Sequence, residues 1–168
     1  QERMAEVISA AEHLLEAIRN PEIQLSDQEI EIYLNKLTWL WLAATPTTEY
    51  VALMNTGELA LISSEELRRK FKLLNVDQER LKQFEELQVS YVNQELRPFL
   101  NKHVDRTTID MNFKRGELIT DHFPSPFESS PADLLKNREF ANILTDVLFF
   151  TRRINLPSRR IEIVMNEM

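Results

Sequence analysis

The sequence predicts an all-α fold: one antiparallel helical bundle of about four main helices plus one short helix, with an irregular insert at about 104–130 that can hold a small hairpin. Three observations carry this. Only two glycines occur in 168 residues, and turn-rich β architectures depend on glycine in their turns. Apolar residues recur at spacings of three and four through most of the chain. Helix-start signals stand directly before several of those stretches. Hydrophobic residues at 43% and charged residues at 28% are ordinary for a globular protein, and the length suits a single domain over 1–168.

The first stripe is Met4, Val7, Ile8, Ala11, Leu14, Leu15 and Ile18, and Asn20-Pro21 stops it. Ser26-Asp27-Gln28-Glu29 reads as a capping box: the Ser26 hydroxyl accepts from a free backbone N–H and Glu29 reaches back. The helix it opens is expected to reach about residue 44, with Ile30, Tyr33, Leu37, Leu40, Trp41 and Ala44 facing inward. Thr45-Pro46 repeats the start signal for a short helix over 47–56, buried through Tyr50, Val51, Leu53 and Met54. Gly57 suits the left-handed residue that ends it, because glycine has no Cβ to clash there. Leu59, Leu61 and Ile62 are then expected to plug the bundle end against Phe140, Ile143 and Leu144. Ser63-Ser64-Glu65-Glu66 supplies a second capping box.

A long helix is expected over 64–103, with Leu67, Phe71, Leu74, Leu81, Phe84, Leu87, Tyr91, Leu96 and Phe99 inside. Asn75-Val76-Asp77 and Pro98 are its two candidate interruptions. The pattern then changes. Residues 108–113 alternate with period two, and Arg115-Gly116 can turn them into a hairpin. Ser130-Pro131-Ala132-Asp133 restarts a helix whose stripe is Phe140, Ile143, Val147, Phe150, Ile154, Ile161, Met165 and Met168. The stripe keeps its phase across Pro157, which predicts one kinked helix rather than two unrelated ones.

Composition narrows the chemistry. The net charge of −7, with no lysine/arginine block of five, argues against nucleic acid as a partner. Without cysteine there is no disulfide, thiolate metal site or cysteine nucleophile. No run of 18 apolar residues occurs. The start at Gln1 rather than methionine reads as a processed or truncated fragment.

No catalytic, cofactor-binding or metal-binding constellation is found. His13, His103 and His122 lie on different elements without ligand spacing. The Glu-x-x-His of di-iron bundles is missing, and two isolated glycines build neither a nucleophile elbow nor a phosphate loop. Glu65, Glu66, Glu85 and Glu86 are read as helix-start or solvated charge. Tyr33, Trp39 and Trp41 are read as core packing, with an aromatic ligand pocket as the rival. Arg152-Arg153 and Arg159-Arg160 are read as a solvated face, with an anionic partner as the rival. Asn142 is expected to be buried against the Gly57 corner.

Thr48-Glu49-Tyr50 with Leu53, then Gly57, Leu59, Leu61-Ile62-Ser63 and Glu66-Leu67-Arg68, resembles a bacterial family of unknown function found in Bacteroidetes and marine bacteria. A second echo is Asn137-Arg138-Glu139-Phe140-Ala141-Asn142-Ile143-Leu144, similar to that family's Phe-x-Asn-x-Leu helix. Together the two cover about a quarter of the chain. Two departures stand out: Glu49 separates Thr48 from Tyr50, and Asn55-Thr56 replaces a small serine pair. The resemblance implies one N-terminal transmembrane helix, absent from this chain, with the helical domain on the periplasmic side. It carries no established activity. The expected role is therefore a non-enzymatic extracytoplasmic interaction or sensing module, working through a protein partner or self-association. A cytosolic helical adaptor and an enzyme with an unrecognised site are the alternatives.

Overall fold

The computed structural model describes residues 2–39, 52, 56–106, 109, 113–114, 117–118, 127 and 130–166. Five α-helices lie among them: α1 Glu2–Arg19, α2 Asp27–Leu37, α3 Glu65–Tyr91, α4 Arg97–His103 and α5 Arg138–Asn166. The all-α bundle predicted from the sequence is what forms.

Cross-helix pairs give the directions. Glu6 and His13 of α1 meet Lys36 and Tyr33 of α2. Asp77, Gln88 and Tyr91 of α3 meet Arg160, Thr151 and Asp146 of α5. Residue numbers rise on one helix as they fall on the other, so both pairs are antiparallel. Met4 and Glu12 of α1 likewise meet Ile154 and Arg152 of α5. The last helix thus packs between the first and the third. The main core joins α1, α2, α4 and α5 around Leu14, Ile30, Leu34, Leu100, Phe140 and Leu144. A smaller second core holds Met4, Leu81 and Ile154 with Phe84 and Ile161.

Of the α1 stripe, Met4, Val7, Ala11, Leu14 and Leu15 are buried while Ile8 and Ile18 are half-buried against the core, and Asn20 Oδ1 accepts from the Glu22 N–H (3.1 Å) in the turn that follows. The Ser26 capping box forms in both directions, at 3.3 Å from the Glu29 N–H to Ser26 Oγ and 2.8 Å from the Ser26 N–H to Glu29 Oε2. The Ser26 hydroxyl also donates to Glu29 Oε2 at 2.7 Å, and this bond first, then the one from the Ser26 N–H, holds the Glu29 pKa below its ordinary value. Helix α2 stops at Leu37, short of the expected 44. The Thr38 and Trp39 N–H groups close on carbonyls three residues back (both 3.1 Å), and the Thr38 hydroxyl donates to the Asn35 carbonyl (2.7 Å). That tightened last turn ends the helix. The expectations for Leu40, Trp41, Ala44, Tyr50, Val51, Leu53 and Met54 fall outside the described residues.

Gly57 has φ 75° and ψ 6°, the left-handed conformation expected of it. An added Cβ would meet nothing within 4 Å, so any penalty comes from the backbone alone. Gly57→Ala is expected to lower stability by ~1 kcal/mol in a denaturant melt. An unchanged midpoint would contradict this.

The corner after Gly57 does not plug the bundle. Glu58–Leu61 is a 3₁₀ turn, and Leu61 is 81% exposed. With three residues per turn, Leu59 and Ile62 share a side while Leu61 points elsewhere. Both are half-buried. Leu61→Ala, which a plug would make costly, is now expected to change stability by less than ~0.5 kcal/mol, a value that a urea midpoint resolves. The start of α3 is also displaced by one residue. Ser64 is the cap, accepting from the Leu67 N–H at 3.2 Å, which leaves Glu66 out of the capping-box position.

Asn75-Val76-Asp77 does not interrupt α3; Asp77 is buried there and pairs with Arg160 at 3.7 Å. The interruption is a π-helical turn, Val92–Leu96, in which the Arg97 N–H reaches the Val92 carbonyl. It precedes Pro98, whose ring removes an N–H and crowds the carbonyl four residues back. Leu87 is 50% exposed, contrary to expectation. The seven-residue register of Leu74 and Leu81 falls on Gln88, which is buried and donates to Thr151 Oγ1 at 3.0 Å.

Within the insert, β1 (Phe113–Lys114) and β2 (Glu117–Leu118) pair antiparallel, so the hairpin is present at two residues per strand. Ile109 is helical and buried rather than part of a strand. The Ser130-Pro131 restart is a 3₁₀ turn, Pro131–Lys136, and Asp27 of α2 accepts from the Ala132 N–H. Asn137 then caps α5, accepting from Glu139 and Phe140 N–H groups at 2.8 and 3.2 Å. As the preserved phase predicts, α5 runs through Pro157 as one helix. Asn142 is exposed, not buried at the Gly57 corner. Phe140, Ile143, Leu144 and Val147 set the inward face, and residue 142 points away from it.

Candidate functional site

The groups with catalytic potential stay apart. The His13 ring stacks on Tyr33 (centroids 5.4 Å) with Nδ1 2.6 Å from the Ser9 carbonyl oxygen. His103 stacks on Phe99 at 4.3 Å. His122 lies outside the described residues. Among the described residues no three histidine, cysteine, aspartate or glutamate side chains converge on a possible metal position. Glu66 pairs with Lys70 one turn on, at 3.6 Å, and Glu65 lies in the first turn of α3, where the helix dipole favours a carboxylate. Burial, and then the Asp146 carboxylate accepting from its hydroxyl at 2.8 Å, push the Tyr91 phenol upward and keep it neutral. Trp39 and Tyr33 pack on the main core, and the Trp39 Nε1–H donates to Asn35 Oδ1 at 3.2 Å. Neither lines either of the two hollows described below, and Trp41 lies outside the described residues.

Surface shape is more informative. A groove of ≈ 730 Å³ runs between α1 and α5, with Leu15, Leu148, Phe149 and Leu156 as its apolar lining. Its two walls differ in charge. The α1 wall carries Glu12 and Glu16, with Arg19 at its end, and the α5 wall carries Arg152 and Arg153. Arg152 reaches across to Glu12. The Arg153 guanidinium lies 5.1 Å from the Phe149 ring centroid, within cation–π range.

The outward face of α5 continues this pattern. Phe149, Leu156 and Ile163 follow at seven-residue spacing and are 48, 58 and 56% exposed. Each of the first two is followed by an arginine pair, 152/153 and 159/160, and then by an inward isoleucine, 154 or 161. The four arginines face one acidic residue, Glu162, over 150–166. The sequence reading found the arginine pairs but missed the stripe. The signal was there as Phe-x-x-Arg-Arg-Ile-x followed by Leu-x-x-Arg-Arg-Ile-x, hidden because the inward stripe alone accounts for a helix. A smaller hollow of ≈ 350 Å³ at Asn101, Val104, Arg106 and Phe127 borders the insert.

The chain matches no protein-family model, no curated protein and no solved structure. No helix among the described residues is long and apolar enough to cross a membrane.

Proposed function

We propose that this chain is a non-enzymatic helical interaction module that docks another protein surface on the α1–α5 groove. The observation that carries the reading is the exposed Phe149, Leu156 and Ile163 stripe beside arginine pairs. Large apolar side chains in a row on one outward helix face are the usual mark of a contact surface, and arginine and aromatic residues are the side chains enriched where such contacts are strong. A photo-crosslinking phenylalanine analogue at position 149, introduced into the full-length protein in its native cell, tests it. A discrete protein adduct, absent when the analogue replaces exposed Asn142, is the expected result. No adduct at 149 would sink the proposal.

The same module is proposed to sit on the periplasmic side of a single-span bacterial membrane protein. This part rests on the sequence resemblance around Thr48-Glu49-Tyr50, Gly57 and Leu59-Ala60-Leu61-Ile62-Ser63. Alkaline phosphatase fused after Met168 of the full-length protein is then active only outside the cytoplasm. An inactive phosphatase with a fluorescent green-protein fusion at the same point would place the domain inside.

A further inference from the structure

We infer that the partner docking on this module is an acidic amphipathic helix, which lies lengthwise on the outward face of α5 with carboxylates along both of its flanks. The inference rests on the docking reading above and adds the shape and chemistry of what docks.

The shape follows from the period. Phe149, Leu156 and Ile163 are exposed and stand seven residues apart. Seven residues are almost two turns, so the three form a nearly axial row that drifts by only ~20° per repeat. From first to last the row is about 21 Å long. A row at this period is what a second helix follows along its length, because packed helices meet every seven residues. Seven residues before Phe149 stands exposed Asn142, so the apolar footprint starts at Phe149 and runs toward the end of α5.

The chemistry follows from the flanks. Arg152 and Arg159 stand three residues after a member of the row, on the side where Arg152 meets Glu12 of α1. Arg153 and Arg160 stand four residues after, on the side where Arg160 meets Asp77 of α3. All four are exposed. A guanidinium carries five N–H donors, so one carboxylate neighbour does not exhaust Arg152 or Arg160. Arg153 and Arg159, one on each flank, make no ion pair among the described residues. Beyond Phe149 the one carboxylate of α5 is Glu162, next to Ile163 in sequence and so about 100° around the helix from the row. The apolar row thus runs between two lines of cation, in a chain whose net charge is −7. Where two helices pack, the residues flanking the apolar seam face the partner's flanks and select their charge. Glutamate or aspartate flanks are the ones that match.

Other occupants meet the wrong charge. A second copy laid on the same row brings arginine flanks against arginine flanks in either direction, and like charges so placed are costly. An anionic lipid surface is wider than a helix and would also reach the α1 wall, where Glu16 offsets Arg19 and adds no attraction. A helix about 10 Å across touches the row and its flanks alone.

Two synthetic peptides of three heptads test the inference, each with leucine at every seventh position and alanine and glutamine as the filler. One carries glutamate three and four residues after each leucine, and the other carries lysine there. Each is titrated with the whole chain and followed by fluorescence anisotropy. Wild type is expected to bind the glutamate peptide roughly tenfold more tightly than the lysine peptide. The net charge of −7 by itself favours lysine, so a preference for glutamate reports the local face. The double variant Arg153→Glu/Arg159→Glu is expected to reverse the preference, with circular dichroism matching wild type. Leu156→Asp breaks the row and is expected to weaken both peptides. Equal affinity for the two peptides, no binding of either, or a folded double variant that keeps the wild-type preference overturns the inference. Binding to phosphatidylglycerol vesicles that Leu156→Asp abolishes, in a chain that does not discriminate the peptides, also overturns it and gives the face to lipid. If such a chain nevertheless crosslinks from position 149 to a different protein, the docking reading stands and only the acidic helix falls.

Discussion

Phe140→Ala is expected to be the most damaging single change in the described core, lowering stability by ~3–5 kcal/mol. The side chain is fully buried at the start of α5, where the main core draws α1, α2, α4 and α5 together. Its ring stacks on Phe99 of α4, with centroids 5.8 Å apart and planes within 8°. Truncation removes the transfer free energy of the ring and leaves a cavity. The two backbones flanking it cannot close on that cavity, because each is fixed locally: Asn137 caps α5 by accepting the Phe140 N–H itself, and the π-helical turn before Pro98 sets the course of α4. Loss of the aromatic pair adds ~0.5–1.5 kcal/mol. Against a total stability of ~5–15 kcal/mol for a domain, the melting temperature should fall by on the order of 10 °C. A loss under ~1 kcal/mol would mean that the Phe99–Phe140 contact is not part of the load of this core.

How much of this was legible in the sequence follows from which physics acts locally. The Ser26 capping box, the left-handed Gly57 and the phase across Pro157 rest on neighbouring residues and were read correctly, whereas the hairpin forms with strands only at 113–114 and 117–118, Ile109 being helical. Misreadings came where geometry depends on a register or turn type that the apolar pattern does not specify. Leu61 was assigned inside because leucine is apolar, but a 3₁₀ turn sends it outward. Leu87 was preferred to Gln88 for the same reason, although the register of Leu74 and Leu81 selects the polar residue. Gln88 can be buried because Thr151 lies opposite, on a helix 63 residues away in sequence. Asn142 was moved inward by its apolar neighbours, whereas the helix period turns it out. The candidate surface was missed for the converse reason. Phe149, Leu156 and Ile163 look like surplus core residues until the inward face is complete without them.

The second large effect is expected at Ile154, and it should be local in a way that Phe140→Ala is not. Ile154 is fully buried, but it belongs to the smaller core with Met4 and Leu81, covered by Phe84 and Ile161. That core holds together the N-terminal turn of α1, the middle of α3 and the second half of α5. Beyond Met4, α1 no longer covers α5, and one polar tie between α3 and α5 there is Asp77 with Arg160, a pair at 3.7 Å whose arginine is largely exposed. An exposed partner makes such a pair weak. Ile154→Ala is expected to cost ~2–5 kcal/mol, and a small core has few neighbours to share the loss. Hydrogen exchange should therefore accelerate first over 65–84 and 155–166, while amides around Leu14, Ile30 and Leu100 stay protected at moderate denaturant. The same experiment on Phe140→Ala should instead speed exchange around Leu100 and Leu144 as well. If Ile154→Ala raises exchange evenly across all five helices, the two cores are one cooperative unit, and their division has no energetic meaning.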